Sequence, residues 1–262
     1  MIPVAICGAM GRMGGEVARI VLEQKDMTFA AAIEMAGHPY LGTRLGEVEV
    51  ISDLGSCIGS VGVVVDFTNP AGAAHHVGVC AQRGVPAVIG VTALHQDQME
   101  TIRKAAGRIA VVYAPNMSVG VNLLFRLVAE TAGILDEGYD VEIVEMHHRM
   151  KKDAPSGTAS KIAEIVRNVR HAGREVHGRQ GLVGERNPQE IGLHALRGGD
   201  VVGEHTVIFA ANGERLELTH KASSRRTFAA GVIKAIRFVT GQKPGLYDMK
   251  DVLGISGRNG LS

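Results

Sequence analysis

The sequence has almost no excess charge of either sign and no long apolar run. It has 28 Lys and Arg against 27 Asp and Glu, a formal net charge of +1, so neither a nucleic acid nor a charged membrane surface is an expected partner. No apolar run approaches the roughly 20 residues that cross a bilayer. Because residue 1 leads straight into a strand-like run without a leader, we expect no signal peptide and a cytoplasmic protein.

Cysteine is scarce, and tryptophan is absent. The three cysteines, Cys7, Cys57 and Cys80, are odd in number and widely spaced, which excludes a disulfide framework and predicts free thiols in a reducing compartment. Neither a cysteine nor a carboxylate lies at a standard zinc-ligand spacing from the adjacent His147 and His148, so we predict no metal site.

Glycine is abundant instead. The 262 residues are 45% hydrophobic and 21% charged, as in a globular protein of one large or two modest domains. Three of the 34 glycines, Gly8, Gly11 and Gly14, are spaced three apart between a strand-like run at 2–7 and a helical pattern. This is the context of a dinucleotide-binding turn, although Met10 occupies the second glycine position of that motif and an ordinary tight turn would look similar.

An acidic residue strengthens the dinucleotide interpretation. Glu34 ends the second predicted strand, 28–33, and lies 20 residues after Gly14, where a carboxylate would bind the adenosine ribose hydroxyls. The same carboxylate repels a 2′-phosphate, and the following Met35 offers no charge to bind one. Glu34 and Met35 together predict that NAD is accepted well, and that NADP can bind if the positive charge of Arg12 offsets the repulsion of the 2′-phosphate.

Strands and helices continue to alternate up to residue 114. Predicted strands at 61–67, 86–90 and 109–114 are continuously apolar, and helices at 69–83 and 94–106 separate them. This pattern predicts a parallel sheet covered on both faces, with ligands at the carboxyl ends of its strands. Those ends carry Gly90, Val91, Thr92, Ala114, Pro115, Asn116 and Met117, and also 67–69.

The segment EMHHRMKKDAPSGTA, residues 145–159, is the most distinctive in the chain. His147 and His148 end a strand-like run, where adjacent side chains point to opposite faces, so only one of them is expected to act as a general acid. Ser156 or Thr158 can cap a helix that ends near Gly173. The free N–H groups of such a helix start bind anions, so we expect proton donors beside an anion site.

The remaining elements predict a second, inserted domain. An apolar helix at 118–135 precedes the histidine strand, and a loop covers 171–189. Strands at 191–197, 201–210 and 214–222 are predicted to form consecutive hairpins in a mixed or antiparallel sheet, and a helix at 229–241 returns to the first domain. We therefore expect a Rossmann-type domain (1–117 and 228–262) with an inserted α+β domain (118–227).

These motifs together resemble the 4-hydroxy-tetrahydrodipicolinate reductase family, also called dihydrodipicolinate reductase. The segments that carry the resemblance are 8–14, 114–122, 145–159, 194–210, 216–231 and 245–253. The resemblance implies a lysine-biosynthesis enzyme that reduces a small cyclic dicarboxylate with NADH or NADPH. It also implies a homotetramer joined through the second-domain sheets.

The resemblance also assigns roles to residues of this sequence. It implies His147 as proton donor and acceptor, Lys151 as second proton donor, and His148 with the Gly157 and Thr158 backbone as carboxylate ligands. The residues implied to line the cofactor are Gly8, Ala9, Met10, Gly11, Arg12, Met13, Glu34, Gly90, Val91, Thr92, Ala114, Pro115, Asn116 and Met117. Met35 departs from members that carry a basic residue there, so a strong preference for NADPH is not expected. Met150 also departs, so no third local histidine is required.

Two other hypotheses remain at this point. Another two-domain dehydrogenase, such as a homoserine or aspartate dehydrogenase, would share the nucleotide domain but has no need of the 145–159 segment. A dinucleotide-sensing protein would bind the cofactor without turnover and gives no reason for two histidines and a lysine beside an anion site.

Overall fold

The computed structural model describes residues 1–171 and 173–255, which form two compact units. The first unit comprises Met1–Val119 and the segment that begins at Arg225, and the second comprises Gly120–Ser224. No helix in the described part of the chain is both long and apolar enough to pass through a bilayer.

The first unit is built on an eight-stranded sheet. Its strands are β1 Ile2–Cys7, β2 Met27–Ile33, β3 Arg44–Leu45, β4 Val48–Ile51, β5 Val63–Asp66, β6 Ala87–Ile89, β7 Ala110–Tyr113 and, after the second unit, β13 Gly245–Tyr247. They lie in the order β13-β7-β6-β5-β1-β2-β4-β3, and only the β3–β4 pair is antiparallel. The helices are α1 Arg12–Leu22, α2 Pro70–Arg83, α3 Gln96–Ala106, α6 Arg226–Val239 and α7 Met249–Val252.

Apolar cores on both faces of this sheet explain its continuously apolar strands. Along β1, Val4 and Ile6 pack into the core formed with α1, α6 and α7, whereas Ala5 and Cys7 pack into the core formed with α2 and α3. A strand covered on both faces has no solvent side and so shows no polar alternation. The predicted Rossmann-type parallel sheet is confirmed. The sequence patterns missed its short edge strands β3, β4 and β13, the one-turn helix α7 and the 3₁₀ turns Leu54–Ser56 and Ile58–Ser60.

The second unit has a five-stranded mixed sheet with helices on one face. Its strands are β8 Asp140–His147, β9 Arg174–His177, β10 Glu190–Arg197, β11 Gly203–Ala211 and β12 Glu214–Ala222, in the order β12-β11-β8-β10-β9. Residues of β8 alternate strictly between buried and half-buried. Val141 and Ile143 on its buried face pack against α4 Val119–Ile134 and α5 Gly157–Arg170.

Three local expectations for this unit are wrong. The predicted loop at 171–189 contains β9. Helix α5 ends at Arg170, with a left-handed His171 (φ 53°) as its C-cap, rather than at Gly173. Consecutive hairpins do not form, because β10 pairs in parallel with β8 and only β11 and β12 form a hairpin. The chain crosses β8 after the Gly-Gly-Asp turn that follows β10. The prediction failed because turn residues indicate a change of chain direction but not which strand pairs next.

Candidate active site

The glycine turn after β1 holds the start of α1 against the strand. Gly8 is left-handed (φ 77°), and its carbonyl oxygen accepts a 3.0 Å hydrogen bond from the Gly11 N–H. A Cβ on Gly14 would lie 2.0 Å from that same oxygen, so only glycine permits this approach. Gly11 is the N-cap of α1, which therefore has no side-chain cap, and its first turn contains no acidic residue. A helix start built this way fits the pyrophosphate of a dinucleotide.

Glu34 is connected to this turn by a hydrogen bond. Its Oε1 accepts the Met10 N–H at 2.8 Å, and its backbone N–H donates to the Ile51 carbonyl at 2.9 Å. The side chain is buried, whereas that of Met35 is 69% exposed. The structure thus brings Glu34 and the Gly8–Met13 turn together at the carboxyl ends of β1 and β2.

The other predicted cofactor residues follow two further strands of the same sheet. Gly90, Val91 and Thr92 come after β6, and the segment from Ala114 through Pro115 and Asn116 to Met117 comes after β7. Because β1, β5, β6 and β7 are adjacent and parallel, these segments leave the sheet at the edge that carries the glycine turn. A Cβ on Gly90 would lie 2.2 Å from the Phe67 ring, so a side chain there would require that ring to move.

Asp66, at the end of β5, is a buried carboxylate that belongs to none of the predicted motifs. It accepts hydrogen bonds from the Thr68 N–H (2.8 Å) and hydroxyl (2.5 Å), and its other oxygen lies 2.6 Å from His76 Nδ1. Ligand atoms of Cys7, Asp66 and His76 lie within 4.8 Å of one another. Since both oxygens of Asp66 already have these partners, we interpret the carboxylate as the group that shapes the loop after β5.

In the second unit, His147 is the last residue of β8 and is buried. Its Nδ1 lies 2.6 Å from Oε2 of Glu145, two residues earlier on the same face of the strand. His148 follows the end of the strand and is half-buried. The Lys151 N–H donates to the His148 carbonyl, and its ammonium group contacts both carboxylate oxygens of Asp153 at 2.9 and 2.8 Å.

Glu145 is the centre of this site, a role that no sequence motif predicted. It is 1% exposed, and its two oxygens accept hydrogen bonds of 2.8 and 2.9 Å from the guanidinium of Arg197. Oε1 also accepts the Ser156 N–H at 3.0 Å. Its position in the strand could have indicated this role. The alternation of β8 places Glu145 on the core face, where a carboxylate needs hydrogen-bond partners.

The start of α5 lies next to this cluster. Ser156 is the N-cap, as one of the two predicted alternatives, and its Oγ accepts the Ala159 N–H at 3.2 Å. The same Oγ lies 3.0 Å from Nε2 of the buried His205. Gly157 is exposed, and a Cβ there would meet nothing within 4 Å. The glycine is therefore not required by packing, which leaves an open approach to the helix start.

Burial lowers the pKa of both buried histidines in the site. For His147, burial and the nearby Lys151 and Arg197 lower the pKa, and the Glu145 carboxylate opposes them without reversing the direction. For His205, burial lowers the pKa to about 4, so this ring is neutral near neutral pH. The two rings meet edge to face with centroids 5.2 Å apart. One neutral and one titratable histidine next to a helix start can exchange a proton with an anionic ligand.

Comparison with known proteins covers both units. The family described as dihydrodipicolinate reductase, N-terminus, matches residues 2–117, and its C-terminus counterpart matches residues 120–253. The 4-hydroxy-tetrahydrodipicolinate reductase of Nitrosomonas europaea is 48% identical over 262 residues, covering 96% of this chain and 98% of the relative. That of Syntrophus aciditrophicus is 46% identical, covering 97% and 99%.

Solved structures include a member of the same family. A dipicolinate-bound dihydrodipicolinate reductase from Paenisporosarcina sp. TG-14 matches with a TM-score of 0.81 and 29% identity, covering 96% of this chain and 99% of that one. A probable dehydrogenase from Thermotoga maritima matches with a TM-score of 0.61 at 12% identity, covering 96% and 92%. The second likeness concerns the fold alone.

Proposed function

The chain belongs to the dihydrodipicolinate reductase family and is a pyridine-nucleotide-dependent reductase of lysine biosynthesis, and on this premise we propose how its two units divide the reaction. Residues 1–117 and 228–262 hold the nucleotide. Residues 118–227 bind and protonate the substrate, 4-hydroxy-tetrahydrodipicolinate, which becomes tetrahydrodipicolinate. The observation that carries the proposal is the buried His147, paired with Glu145 and adjacent to the open start of α5.

The start of α5 is the proposed carboxylate site. Its first N–H groups lie at the positive end of a 14-residue helix, and Gly157 leaves them accessible. We assign one substrate carboxylate to the Gly157 and Thr158 backbone and to His148. The Paenisporosarcina relative is described as dipicolinate-bound, and dipicolinate is likewise a cyclic dicarboxylate. Lys151, adjacent in the same loop, adds positive charge for a dianionic ligand.

The glycine turn is the proposed pyrophosphate site. The residues proposed to line the cofactor are Gly8, Ala9, Met10, Gly11, Arg12, Met13, Glu34, Gly90, Val91, Thr92, Ala114, Pro115, Asn116 and Met117. The requirement for glycine at Gly14 supports a dinucleotide here, because it lets the helix start lie against the strand. When bound, NADH or NADPH supplies the hydride.

We propose that NADH is accepted well and that NADPH is not strongly preferred. The buried Glu34 carboxylate has its Oε1 fixed by Met10, and its Oε2, which lies 3.9 Å from Nε2 of His38, is proposed to accept a ribose hydroxyl. The carboxylate places a negative charge where a 2′-phosphate would lie. The exposed Met35 adds no compensating charge.

The proposed chemistry for the second unit is proton transfer. The 4-hydroxyl group leaves as water, which gives a conjugated ring. Addition of hydride to its electron-poor carbon then leaves an enamine-like anion, which must be protonated at carbon. His147 donates that proton, and Lys151 is a second donor. A dianionic ligand beside His147 raises the pKa of its imidazole while it is bound, which keeps this donor protonated.

The test is a coupled assay in which the substrate is generated fresh and oxidation of NADH or NADPH is followed. We expect turnover that depends on both substrate and nucleotide. Nucleotide binding without turnover would contradict the proposal and favour a sensor. Oxidation that responds to aspartate or homoserine semialdehyde instead would favour another dehydrogenase.

Two further properties of the protein are proposed. Its three cysteines are free, and burial raises the pKa of Cys7 and Cys80, which supports a reducing compartment, the cytoplasm. The face of the second sheet away from α4 and α5 carries partly exposed apolar side chains, among them Met146 and Leu196. This supports a homotetramer assembled through these sheets.

A further inference from the structure

The carboxylate of Glu145 sets which nitrogen of His147 carries a fixed proton. An ionised carboxylate can only accept hydrogen bonds, so at 2.6 Å from Oε2 the Nδ1 of His147 must be the donor. The exchangeable proton therefore belongs to Nε2, which carries it in the charged ring and is bare in the neutral ring. Gly203 leaves space at that atom, since a Cβ there would lie 3.0 Å from Nε2.

Hydrogen bonds from Arg197, His147 and the Ser156 N–H together keep Glu145 in its ionised form. Burial alone raises the pKa of Glu145, but hydrogen bonds from Arg197 and His147 outweigh burial and lower it. The two guanidinium nitrogens bind the two carboxylate oxygens, and β10 pairs with β8 so that Arg197 lies opposite His147. A forked ion pair of this kind fixes the direction of the carboxylate as well as its charge.

We propose that Glu145 is a positioning residue for the reduction, with Arg197 as its counter-ion, and that together they make Nε2 of His147 the atom that donates the proton. This inference depends on the proposed role of His147. In the step, the Nε2–H bond breaks and a C–H bond forms from the electron pair of the reduced ring. His147 becomes neutral, keeps its Nδ1–H on Glu145, and regains the Nε2 proton from water.

Glu145 also connects the proton donor to the anion site. Its Oε1 accepts the N–H of Ser156, the residue that caps α5. One carboxylate therefore orients both the imidazole and the first turn of the proposed carboxylate-binding helix. A loss of Glu145 should affect proton transfer first, because Ser156 keeps its own contacts with Ala159 and His205.

The charges around His147 predict opposite effects for two variants. Its neighbours are Glu145 on β8, Lys151 in the following loop, Arg197 on β10 and the neutral His205 on β11. Glu145 raises the pKa of His147, whereas Arg197 and Lys151 lower it. A proton donor loses activity as pH rises through its pKa. The fall of kcat/KM should therefore move to lower pH in Glu145→Gln and to higher pH in Arg197→Gln, each by about one pH unit.

The first experiment is ¹⁵N NMR of wild-type protein labelled with ¹⁵N at histidine. It does not depend on whether any variant folds. We expect a proton on Nδ1 and a bare Nε2 for neutral His147. In Glu145→Gln, we expect Arg197 to donate to the amide oxygen of Gln and the amide N–H₂ to face Nδ1 of His147. The proton of the neutral ring should therefore move from Nδ1 to Nε2.

The second measurement is the turnover of Glu145→Gln. We expect kcat to fall roughly 100-fold to 10,000-fold, with partial recovery in Glu145→Asp.

A wild-type ring with its proton on Nε2, or parallel pH shifts in Glu145→Gln and Arg197→Gln, would overturn the inference. His147→Gln separates this failure from failure of the proposed function. If His147→Gln keeps full activity, the proposed proton donor is wrong, whatever the tautomer. If His147→Gln is inactive but Glu145→Gln matches wild type in kcat and pH profile, only the positioning role is wrong.

Discussion

Glu34 accepts, through Oε1, a 2.8 Å hydrogen bond from the backbone N–H of Met10, which precedes it by 24 residues. The carboxylate at the end of β2 therefore fixes the glycine turn after β1, in addition to its proposed contact with a ribose. A substitution at Glu34 would change the turn and the specificity together, so the neighbouring Met35 is the better position at which to test cofactor choice.

Met35→Arg is expected to improve NADPH use relative to NADH. The side chain is 69% exposed, so an arginine there would gain about 1 kcal/mol from a 2′-phosphate, or roughly 5-fold in the ratio of KM values. Steady-state kinetics with both nucleotides measure the ratio. Met150→Arg is the matched control, since Met150 is 77% exposed and lies in the other unit. An unchanged ratio of NADPH to NADH KM values in Met35→Arg would count against the proposal that a 2′-phosphate lies beside Glu34 and Met35.

Gly14→Ala should destabilise the first unit and abolish nucleotide binding. Its Cβ would lie 2.0 Å from the Gly8 carbonyl oxygen, so the helix must move away from the strand at a cost of about 2 kcal/mol or more. Gly15→Ala is the control, because its Cβ would lie 3.5 Å from the Ala9 carbonyl oxygen, an ordinary contact. Thermal unfolding and NADH titration compare the two, and equal behaviour would contradict the close-approach argument.

His147→Gln and Lys151→Ala should each lose kcat while still binding NADH. Loss of a proton donor costs about 100-fold to 10,000-fold, and neither residue belongs to the nucleotide-binding unit. Lys152→Ala is the control, because Lys152 is exposed and has no assigned role. Turnover assays and NADH titration separate the two effects. Wild-type turnover in both His147→Gln and Lys151→Ala would reject the catalytic assignment.

Glu142→Gln should make the second unit less stable at neutral pH but not at low pH. Burial raises the pKa of Glu142, but hydrogen bonds from Arg179, Arg186 and His194 outweigh it and lower the pKa to about 2. The folded pKa lies below its ordinary value, so the carboxylate stabilises the fold above about pH 4.5 and loses this effect as pH falls toward 2.

The expected loss for Glu142→Gln at pH 7 is about 1–3 kcal/mol, and the difference from wild type should shrink as pH falls below 4.5. Denaturant unfolding at a series of pH values measures it. Glu185→Gln, at an exposed position of the nearby loop, should show no such dependence. A pH-independent difference for Glu142→Gln would show that its charge is not what stabilises the sheet.

Leu196→Glu should dissociate the proposed tetramer. Leu196 is 45% exposed on the sheet face away from the helices and lies opposite Met146 in register. A carboxylate buried in an interface at this position would be unpaired. Light scattering after size exclusion measures the mass. Leu182→Glu, at a fully exposed loop position, should keep the wild-type mass. A tetrameric Leu196→Glu would place the interface elsewhere.

The elements of the first unit were predictable because each signal is local. Strand β1 was predicted at its observed bounds, and the helices after the glycine turn and after Asn69 begin where cap and glycine signals place them. The edge strands β3, β4 and β13 were missed because short, partly exposed segments bury too few apolar residues to produce a pattern.

The sequence alone determined the family, the parallel sheet and the histidine segment, because these depend on residues close together in the chain. Only the tertiary structure decided which partners His147 has. Glu145 and Arg197 are 52 residues apart and meet because β10 crosses to pair in parallel with β8. Turn residues do not specify which strand comes next in a sheet. The pairing instead follows from burying the apolar face of β10 beside β8, a non-local contribution that no short motif contains.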